Sequence, residues 1–397
     1  MWKTVKLGDI CDLQNGFAFK SSDYVDNSNT LNIRMSNIRP NGKFDEFHNI
    51  KFLPDNYATK YAEYKLIEGD LIIAMTDMAG NPKILGMPTI VKNLDGRAFL
   101  LNQRVGKLHK FSDEIFVPYL CHFLSTLKNF YKNKGAGGLQ INISKKDILS
   151  AKIPLPPLAE QQRIVAKLDA AFAEIDTAIE VANAKEAEIK KLGRHALETF
   201  FKENFKTKKI GVLGGVKSGG TPKSTEPSYW NGKIEWYSSG ELNDMYALST
   251  VKRITNEGLN SSNAKLFPAD TLLVGMYDTA AMKMSILQNE ATFNQAIVGI
   301  PPNEFASPQY LFYALNYLKP KILLERRGVR QQNLSLAKIK NVDVPIPSKE
   351  QQQCIVKQAN KVTQKIGFIV ETLTNKKSQL ANLKSAILAQ ELRSEAA

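Results

Sequence analysis

A proline-led stretch with a heptad repeat, residues 155–205, constrains this chain more than any other feature. It begins at Pro156-Pro157, and because proline is excluded from helix interiors, a helix must start there. About forty residues follow with no proline and one glycine. At 1.5 Å per residue the helix would be roughly 60 Å long, and it needs a partner to bury its apolar stripe. Two heptad positions form that stripe: Val165, Phe172 and Ile179, then Leu168, Ile175, Ala182, Ile189 and Ala196.

The partner is a second copy of the same stretch. When the sequence is shifted by 191 residues, residues 142–165 align with 333–356 without a gap, and nine of these 24 positions are identical. The apolar heptads continue in the same register, which predicts a second long helix. Its stripe comprises Val356, Thr363 and Val370, then Ile366, Leu373, Leu380 and Ile387.

The segments between the helices repeat as well. Leu7-Gly8 recurs as Ile210-Gly211, and Leu101-Asn102-Gln103 recurs as Phe293-Asn294-Gln295, whereas the inserts between such matches diverge. The order predicts an α+β chain with an internal pseudo-twofold repeat. Its four parts are a globular domain (1–155), a central helix (156–205), a second globular domain (206–346) and a C-terminal helix (347–397).

Within the first domain, periodicity predicts the main elements. Alternation over residues 32–38 predicts a strand, and the apolar run before Met75 predicts a buried one. Residues 99–108 are predicted as a further strand, residues 117–134 as a helix, and Gly135 to Gly138 as a mobile loop.

The chain is basic, with 53 Lys and Arg against 39 Asp and Glu, a net charge of +14. Two basic globular segments suit contact with a polyanion at two places. No apolar run is long enough to span a membrane, and three widely spaced cysteines are typical of reduced thiols in a cytoplasmic protein. We therefore expect a cytoplasmic protein without metal or membrane attachment.

Two alternatives remain open. Pro54-Asp55 followed by Glu63 and Lys65 loosely fits the acidic–lysine pattern of metal-dependent nucleases, although such short matches often arise by chance. The chain could instead be a coiled-coil scaffold that joins two protein-binding domains, with no DNA specificity. The nuclease predicts metal-dependent cleavage that depends on Glu63, and the scaffold predicts no salt-dependent DNA binding.

Three sequence motifs together resemble the specificity subunits of type I restriction–modification systems. They are Pro-Leu-Pro-Pro-Leu-Ala-Glu-Gln-Gln-Arg-Ile-Val at 154–165, its second copy at 345–356, and Ser-Gly-Gly-Thr-Pro at 218–222. The resemblance covers essentially the whole chain. It implies two target-recognition domains held apart by an antiparallel pair of helices, with no catalytic site.

The resemblance also implies a role and partners. Such a subunit binds a bipartite, asymmetric sequence in double-stranded DNA and recruits two modification subunits, which restriction subunits join in the full complex. S-adenosylmethionine and ATP are implied only for those partners, and no cofactor is expected here. With the helices as a ruler, removing one heptad (about 10 Å) should shorten the gap between half-sites by roughly three base pairs.

Basic and amide side chains beside glycine loops are the candidate DNA contacts, because cations neutralise phosphates and amides read base edges. In the first domain the candidates are Lys20, Ser21, Arg34, Lys83, Lys134 and Gln140. In the second domain they are Lys217, Thr221, Lys223, Tyr237, Lys283, Arg326, Arg327, Arg330 and Gln331.

The duplicated glutamines at the two helix starts are candidate docking points for the modification subunits. A simple capping role at the start of the helix is the alternative. These candidates are Gln161, Gln162, Arg163, Gln352 and Gln353.

Overall fold

The computed structural model describes residues 2–93, 95–277, 280–324 and 333–392. The chain divides into two compact units. Unit 1 comprises residues 1–181 and 376–397, and unit 2 comprises residues 182–375. Each unit therefore contains one globular part together with a portion of both long helices.

The strands of unit 1 are short and arranged mainly in two four-stranded sheets. They are β1 (Lys3–Lys6), β2 (Asp12–Asn15), β3 (Thr30–Ile33), β4 (Phe52–Leu53), β5 (Lys65–Leu66), β6 (Leu71–Ala74), β7 (Thr76–Met78), β8 (Pro88–Ile90), β9 (Ala98–Leu101), β10 (Val105–His109), β11 (Gln140–Asn142) and β12 (Lys152–Leu155). The helices that begin in this unit are α1 (Leu7–Ile10), α2 (Tyr57–Lys60), α3 (Val117–Ser125), α4 (Lys128–Lys134), α5 (Lys145–Leu149) and α6 (Leu158–Thr199).

Unit 2 contains the strands and helices of the second copy. The strands are β13 (Thr207–Lys209), β14 (Lys217–Ser218), β15 (Trp230–Tyr237), β16 (Arg253–Ile254), β17 (Leu272–Gly275), β18 (Met284–Ile286), β19 (Thr292–Phe293), β20 (Ile297–Ile300) and β21 (Asp343–Pro345). The helices that begin in this unit are α7 (Asn256–Asn260), α8 (Pro308–Leu324), α9 (Leu336–Lys340) and α10 (Lys349–Leu392).

The two globular parts share a sheet topology. The strand order β2-β10-β6-β8 in unit 1 corresponds to β14-β20-β17-β18 in unit 2, with antiparallel pairing throughout. Beside it, a parallel pair occurs in each unit, β3 with β9 and β15 with β19. The central strands β6 and β17 are buried along their whole length, as expected for strands covered on both faces. The predicted internal repeat is thus present in three dimensions.

The two long helices pair antiparallel. In unit 1, Lys167 of α6 contacts Glu391 of α10 at 2.7 Å, and Asp176 contacts Lys384 at 2.9 Å, so residue numbers rise along one helix as they fall along the other. In unit 2, Ile366 of α10 packs directly against Gly193 of α6. The predicted α+β class with paired long helices is confirmed. Thr363 is exposed rather than part of the buried stripe, and its hydroxyl accepts a hydrogen bond from the Tyr313 hydroxyl at 3.5 Å.

Three predicted elements of unit 1 differ in detail. The helix over 117–134 is broken between α3 and α4, where the Ser125 and Thr126 hydroxyls donate to the carbonyls of His122 and Phe123. Side-chain bonds of this kind compete with helical bonds. The strand over 99–108 is two strands, β9 and β10, separated by a turn. The strand over 32–38 ends at Ile33, and a 3-10 turn follows (Met35–Asn37).

Candidate nucleic-acid interface

Each long helix is tied to its globular part by one buried glutamine. The Gln161 side chain donates to the carbonyls of Glu114 and Pro156 and accepts from the Phe116 N–H, with all three bonds at 2.8 Å. Its exposed fraction is 0%. An amide with its donors and acceptor engaged inside the unit is not available to a partner, which favours a structural role for Gln161. These bonds join α6 to the globular part, whereas a helix-start cap accepts from N–H groups of the helix itself.

Unit 2 repeats this arrangement 191 residues later. The Gln352 side chain donates to the carbonyls of Phe305 (2.8 Å) and Pro347 (3.1 Å) and accepts from the Ser307 N–H (3.3 Å). Gln352 is 2% exposed, so it too favours the structural role. The partners of Gln161 and Gln352 occupy equivalent positions in the repeat.

A buried tyrosine adds a second shared tie. Tyr119 of α3 donates its hydroxyl to the Pro154 carbonyl at 2.9 Å, and Tyr310 of α8 donates to the Pro345 carbonyl at 2.8 Å. Proline lacks an N–H, so the strands leading into the helices are held here through their carbonyls. The duplicated Pro-x-Pro and Gln-Gln motifs therefore specify the joint between domain and helix.

The remaining docking candidates lie on the surface. Gln162 and Gln353 are exposed neighbours of the buried glutamines. Arg163 donates from Nε and Nη2 to the two carboxylate oxygens of Glu160, at 2.7 and 2.8 Å. The hydrogen bond from Arg163 lowers the pKa of the Glu160 carboxyl.

In unit 1 the structure brings two of the DNA-contact candidates to one edge. Gln140 lies on β11, which pairs with β7, and the Asp77 carboxylate of β7 accepts the backbone N–H of Lys83. Both side chains reach the surface, since Lys83 is exposed and Gln140 is half-buried. Beside them, Met78 and Leu139 are 55% and 88% exposed, so this edge offers apolar as well as polar groups.

The other candidates of unit 1 are spread over its surface. Lys20 and Ser21 are exposed at a 3-10 turn, and the Asp23 carboxylate accepts the Lys20 N–H at 2.8 Å. Lys134 is exposed at the end of α4, with Nζ 5.9 Å from the Phe130 ring centre.

Arg34 is half-buried after β3. Its Nη2 donates to the Asn49 carbonyl at 3.1 Å, whereas Nε is buried and has no partner among the described residues. A buried donor without a partner costs stability, and the selection of Arg34 as a DNA contact stays a prediction.

In unit 2, Lys217, Thr221 and Lys223 are exposed around the glycine-rich loop that leads out of β14. Two other candidates are not on the open surface. Tyr237 is 3% exposed, and its hydroxyl donates to Glu235 at 2.9 Å. Burial and that carboxylate raise the pKa of Tyr237.

Tyr237 is therefore a core residue in this structure, which contradicts its selection as a DNA contact. Lys283 is half-buried and donates to the Asn243 side chain at 2.9 Å, so its ammonium is engaged within the unit. Arg326, Arg327, Arg330 and Gln331 lie outside the described residues, and their selection stays a prediction.

A pair of exposed glutamines was missed from the candidate residues. Gln103 and Gln295 occupy the same turn in the two units, and Gln295 lines a cleft of about 530 Å³ together with Ser218, Tyr277 and Lys338. The signal was present in the sequence, since Asn-Gln recurs at 102–103 and 294–295.

The hydrogen bonds of Asp55 and Glu63, the acidic residues of the nuclease alternative, connect them to other parts of unit 1. The Asp55 carboxylate accepts the Asn29 N–H at 2.7 Å, and Glu63 accepts a hydrogen bond from Gln14 through its backbone carbonyl. Within the described ranges, no group of three or more His, Cys, Asp or Glu side chains could hold a metal ion. In the same ranges, no helix is both long and apolar enough to cross a membrane.

The repeated α+β unit, the paired helices and the divergent surface loops define a tandem-domain protein organised around a helical spacer. The family model described as "Type I restriction modification DNA specificity domain" matches residues 1–191 and 202–378. The chain belongs to this family.

Named relatives and a solved structure agree with this family. The chain is 28% identical to the type I restriction enzyme MjaVIII specificity subunit of Methanocaldococcus jannaschii over 215 residues. That alignment spans 53% of this chain and about half, 47%, of the relative. This chain is also 24% identical to the type I restriction enzyme EcoBI specificity subunit of Escherichia coli, over 99% of this chain and 86% of that relative.

The fold is also similar to that of a chain in a solved structure of the type I R-M system, concerned with complex assembly and conformational transition. The TM-score is 0.71 with 18% sequence identity, over 99% of this chain and 98% of the other. This similarity bears on the fold.

Proposed function

We propose that this chain is the DNA sequence-recognition subunit of a type I restriction–modification complex. The observation that supports it best is the contrast within the repeat. The joints between domain and helix are the same in both units down to individual hydrogen bonds, whereas the surface loops differ. A constant frame with two different surfaces suits the reading of two different half-sites in one bipartite DNA sequence.

In this proposal the globular parts, residues 1–155 and 206–346, are the target-recognition domains, and the long helices are spacers. The exposed lysines and arginines bind phosphates, and the polar loop side chains contact base edges. The chain supplies no catalytic group. Two modification subunits dock on the exposed helix starts around Gln162, Arg163 and Gln353, and restriction subunits complete the complex in the cytoplasm. S-adenosylmethionine and ATP are bound by those partners.

Modified-base sequencing tests the proposal directly. DNA from cells that express the chain with its candidate modification subunit should carry methylation at one bipartite, asymmetric motif, which is absent when the chain is omitted. Exchanging the loops of residues 16–27 for those of 219–230 should change one half of the motif and leave the other. Methylation that is independent of the chain would contradict the proposal.

The salt dependence of DNA binding distinguishes this proposal from a scaffold without DNA specificity. A recognition subunit in its complex binds its own motif over a scrambled duplex, and log K falls linearly with log salt concentration. A scaffold shows no preference for the motif and no dependence of DNA binding on salt concentration.

A further inference from the structure

We infer that Gln103 and Gln295 are matched phosphate contacts, one in each recognition domain, that fix the position of DNA without reading its sequence. The inference rests on the proposed function, because it takes duplex DNA as the ligand. It assigns a positioning role to two residues that lie apart from the divergent loops.

Both glutamines stand on the same rigid turn. In unit 1 the turn joins β9 to β10, and Asn102 donates its N–H to the Ile33 carbonyl at 3.0 Å. In unit 2 it joins β19 to β20, and Asn294 donates to the Tyr237 carbonyl at 2.9 Å. The asparagine side chains then accept the N–H two residues on, at 3.2 and 3.1 Å. These hydrogen bonds fix the backbone of the turn that carries each glutamine.

In both units a glycine lets the backbone of a neighbouring loop pack closely against this turn. A Cβ at Gly16 would lie 2.3 Å from the Asn102 carbonyl oxygen, and one at Gly219 would lie 2.0 Å from the Phe293 carbonyl oxygen. No side chain fits in either place. The residue after Gly16, Phe17, bonds the turn through its backbone, and Thr221, two residues after Gly219, bonds it through its side chain.

The hydrogen bonding around Gln295 fits a phosphate better than it fits an adenine. The Thr221 hydroxyl donates to Oε1 of Gln295, which leaves the two Nε2 hydrogens as the groups offered outward. Reading adenine requires an amide acceptor as well as a donor. Phosphate oxygens only accept, so an amide presented as a donor matches them.

The surroundings of Gln295 are suited to an anion. Lys217 is exposed on β14, and the Lys265 ammonium lies 3.4 Å from the Ser218 carbonyl, beside the cleft that Gln295 lines. Both glutamines are exposed, where a polar side chain adds little to folding stability. Two domains that read different half-sites share only the backbone of their targets, so a residue common to both suits a contact to that backbone.

The test uses the full chain in complex with its modification subunits and a duplex that carries the methylated motif. Gln103→Ala and Gln295→Ala should each weaken binding by about tenfold, because a hydrogen bond to a charged group is lost. The loss should be equal for the motif and for a scrambled duplex, and the methylated motif should stay the same. Gln364→Ala, an exposed glutamine on α10, is the matched control and should bind as the parent does.

Two further variants separate a phosphate contact from a loss of structure. Gln103→Glu and Gln295→Glu keep the side-chain shape and add a negative charge, so they should bind more weakly than the alanine variants at low salt. The difference between the glutamate and alanine variants should shrink as salt rises. Thr221→Val should weaken binding less than Gln295→Ala. A duplex with a neutral methylphosphonate at the contacted linkage should make the parent and the alanine variant equal.

Three results would overturn the inference. The first is that the alanine and glutamate variants bind DNA as tightly as the parent does. The second is that a variant methylates a motif relaxed at one base, which would mean that the glutamine reads that base. The third is a parent complex that prefers no motif. That result removes the proposed function as well, and it is recognised because the parent and the variants fail together.

Discussion

The same two helices are held together differently in the two units. In unit 1 the Asp176 carboxylate of α6 accepts hydrogen bonds from Lys384 of α10 at 2.9 Å and lies 3.1 Å from Lys43 of the globular part. A shift of 191 residues places Gly367 at the position of Asp176, and Gly193 precedes Lys384 by the same shift. In unit 2 both equivalent positions are therefore glycines, and the Ile366 side chain packs against Gly193.

This difference shows that a duplicated helix pair can keep its geometry while its means of attachment changes. Burial alone would raise the pKa of Asp176, but the hydrogen bonds from Lys384 and Lys43 outweigh it, and the net pKa is lowered. In unit 1 the Asp176 carboxylate thus links the globular part to both helices. In unit 2 the helices are held at the corresponding place by close packing of Ile366 against Gly193. By contrast, the buried glutamine joint is common to both units.

The largest expected effect is on the shared joint. Gln161→Ala and Gln352→Ala each remove an amide with three hydrogen bonds and leave buried backbone groups unpaired, which should lower the free energy of unfolding by about 2–4 kcal/mol. Gln161→Ala should cost more, because its bonds are all 2.8 Å whereas those of Gln352 extend to 3.3 Å. Urea unfolding with hydrogen exchange would measure both the loss and the unit in which it occurs.

The matched controls are the exposed neighbours, Gln162→Ala and Gln353→Ala, which should change stability by less than about 0.5 kcal/mol. If the buried and exposed variants behaved alike, the glutamines would not form the joint.

The second prediction concerns the close approach in unit 2. A Cβ at Gly193 would lie 2.1 Å from the Ile366 Cδ1 atom, so Gly193→Leu should overpack the helix pair and cost about 1–3 kcal/mol. Adding Ile366→Ala should recover part of that loss, which a double-mutant cycle in thermal unfolding would show. Independent, additive effects would mean that the two residues do not touch.

The third prediction concerns the charged contact in unit 1. Asp176→Asn should lower the free energy of unfolding by about 1 kcal/mol near pH 7, since the group is partly solvated. The folded-state pKa is lowered, so the contribution is present above the ordinary pKa of about 4 and is lost as pH falls through the folded value. Unfolding measured from pH 7 to pH 3 should show the parent and the variant converging.

Lysine variants sharpen this third test. Lys384→Met should cost more than Lys43→Met, because the Lys384 side chain is 24% exposed and that of Lys43 is 52% exposed. A difference between parent and Asp176→Asn that widened at low pH would contradict the assigned contacts.

The smallest expected effect is a gain. No atom lies within 4 Å of the position that a Cβ would take at Gly367, in the middle of α10. Gly367→Ala should therefore raise stability by up to about 1 kcal/mol through better helix propensity. A loss would show that this position needs the freedom of glycine, and differential scanning calorimetry is precise enough to decide.

The periodic features could be predicted from the sequence, and the individual contacts could not. The long helices were predictable because a proline entry and a heptad stripe are local signals, which the structure confirms over α6 and α10. Tyr237 was chosen as a contact from its residue type and setting, yet Trp236 and Tyr237 are both buried, in two separate apolar clusters. Only the end of strand β15 is buried on both faces, so the alternation seen earlier along the strand does not mark an outward side there.

The sequence alone determined the duplication, the helix starts and the basic charge, because each is written in residue order, spacing or composition. Only the tertiary structure decided that Gln161 is buried while Gln162 is exposed, and that Asp176 pairs with Lys384 and Lys43. The physical reason is that exposure and pairing depend on groups far away in the chain. Glu114 and Phe116 bind Gln161 across 47 and 45 residues, and no local pattern specifies that meeting.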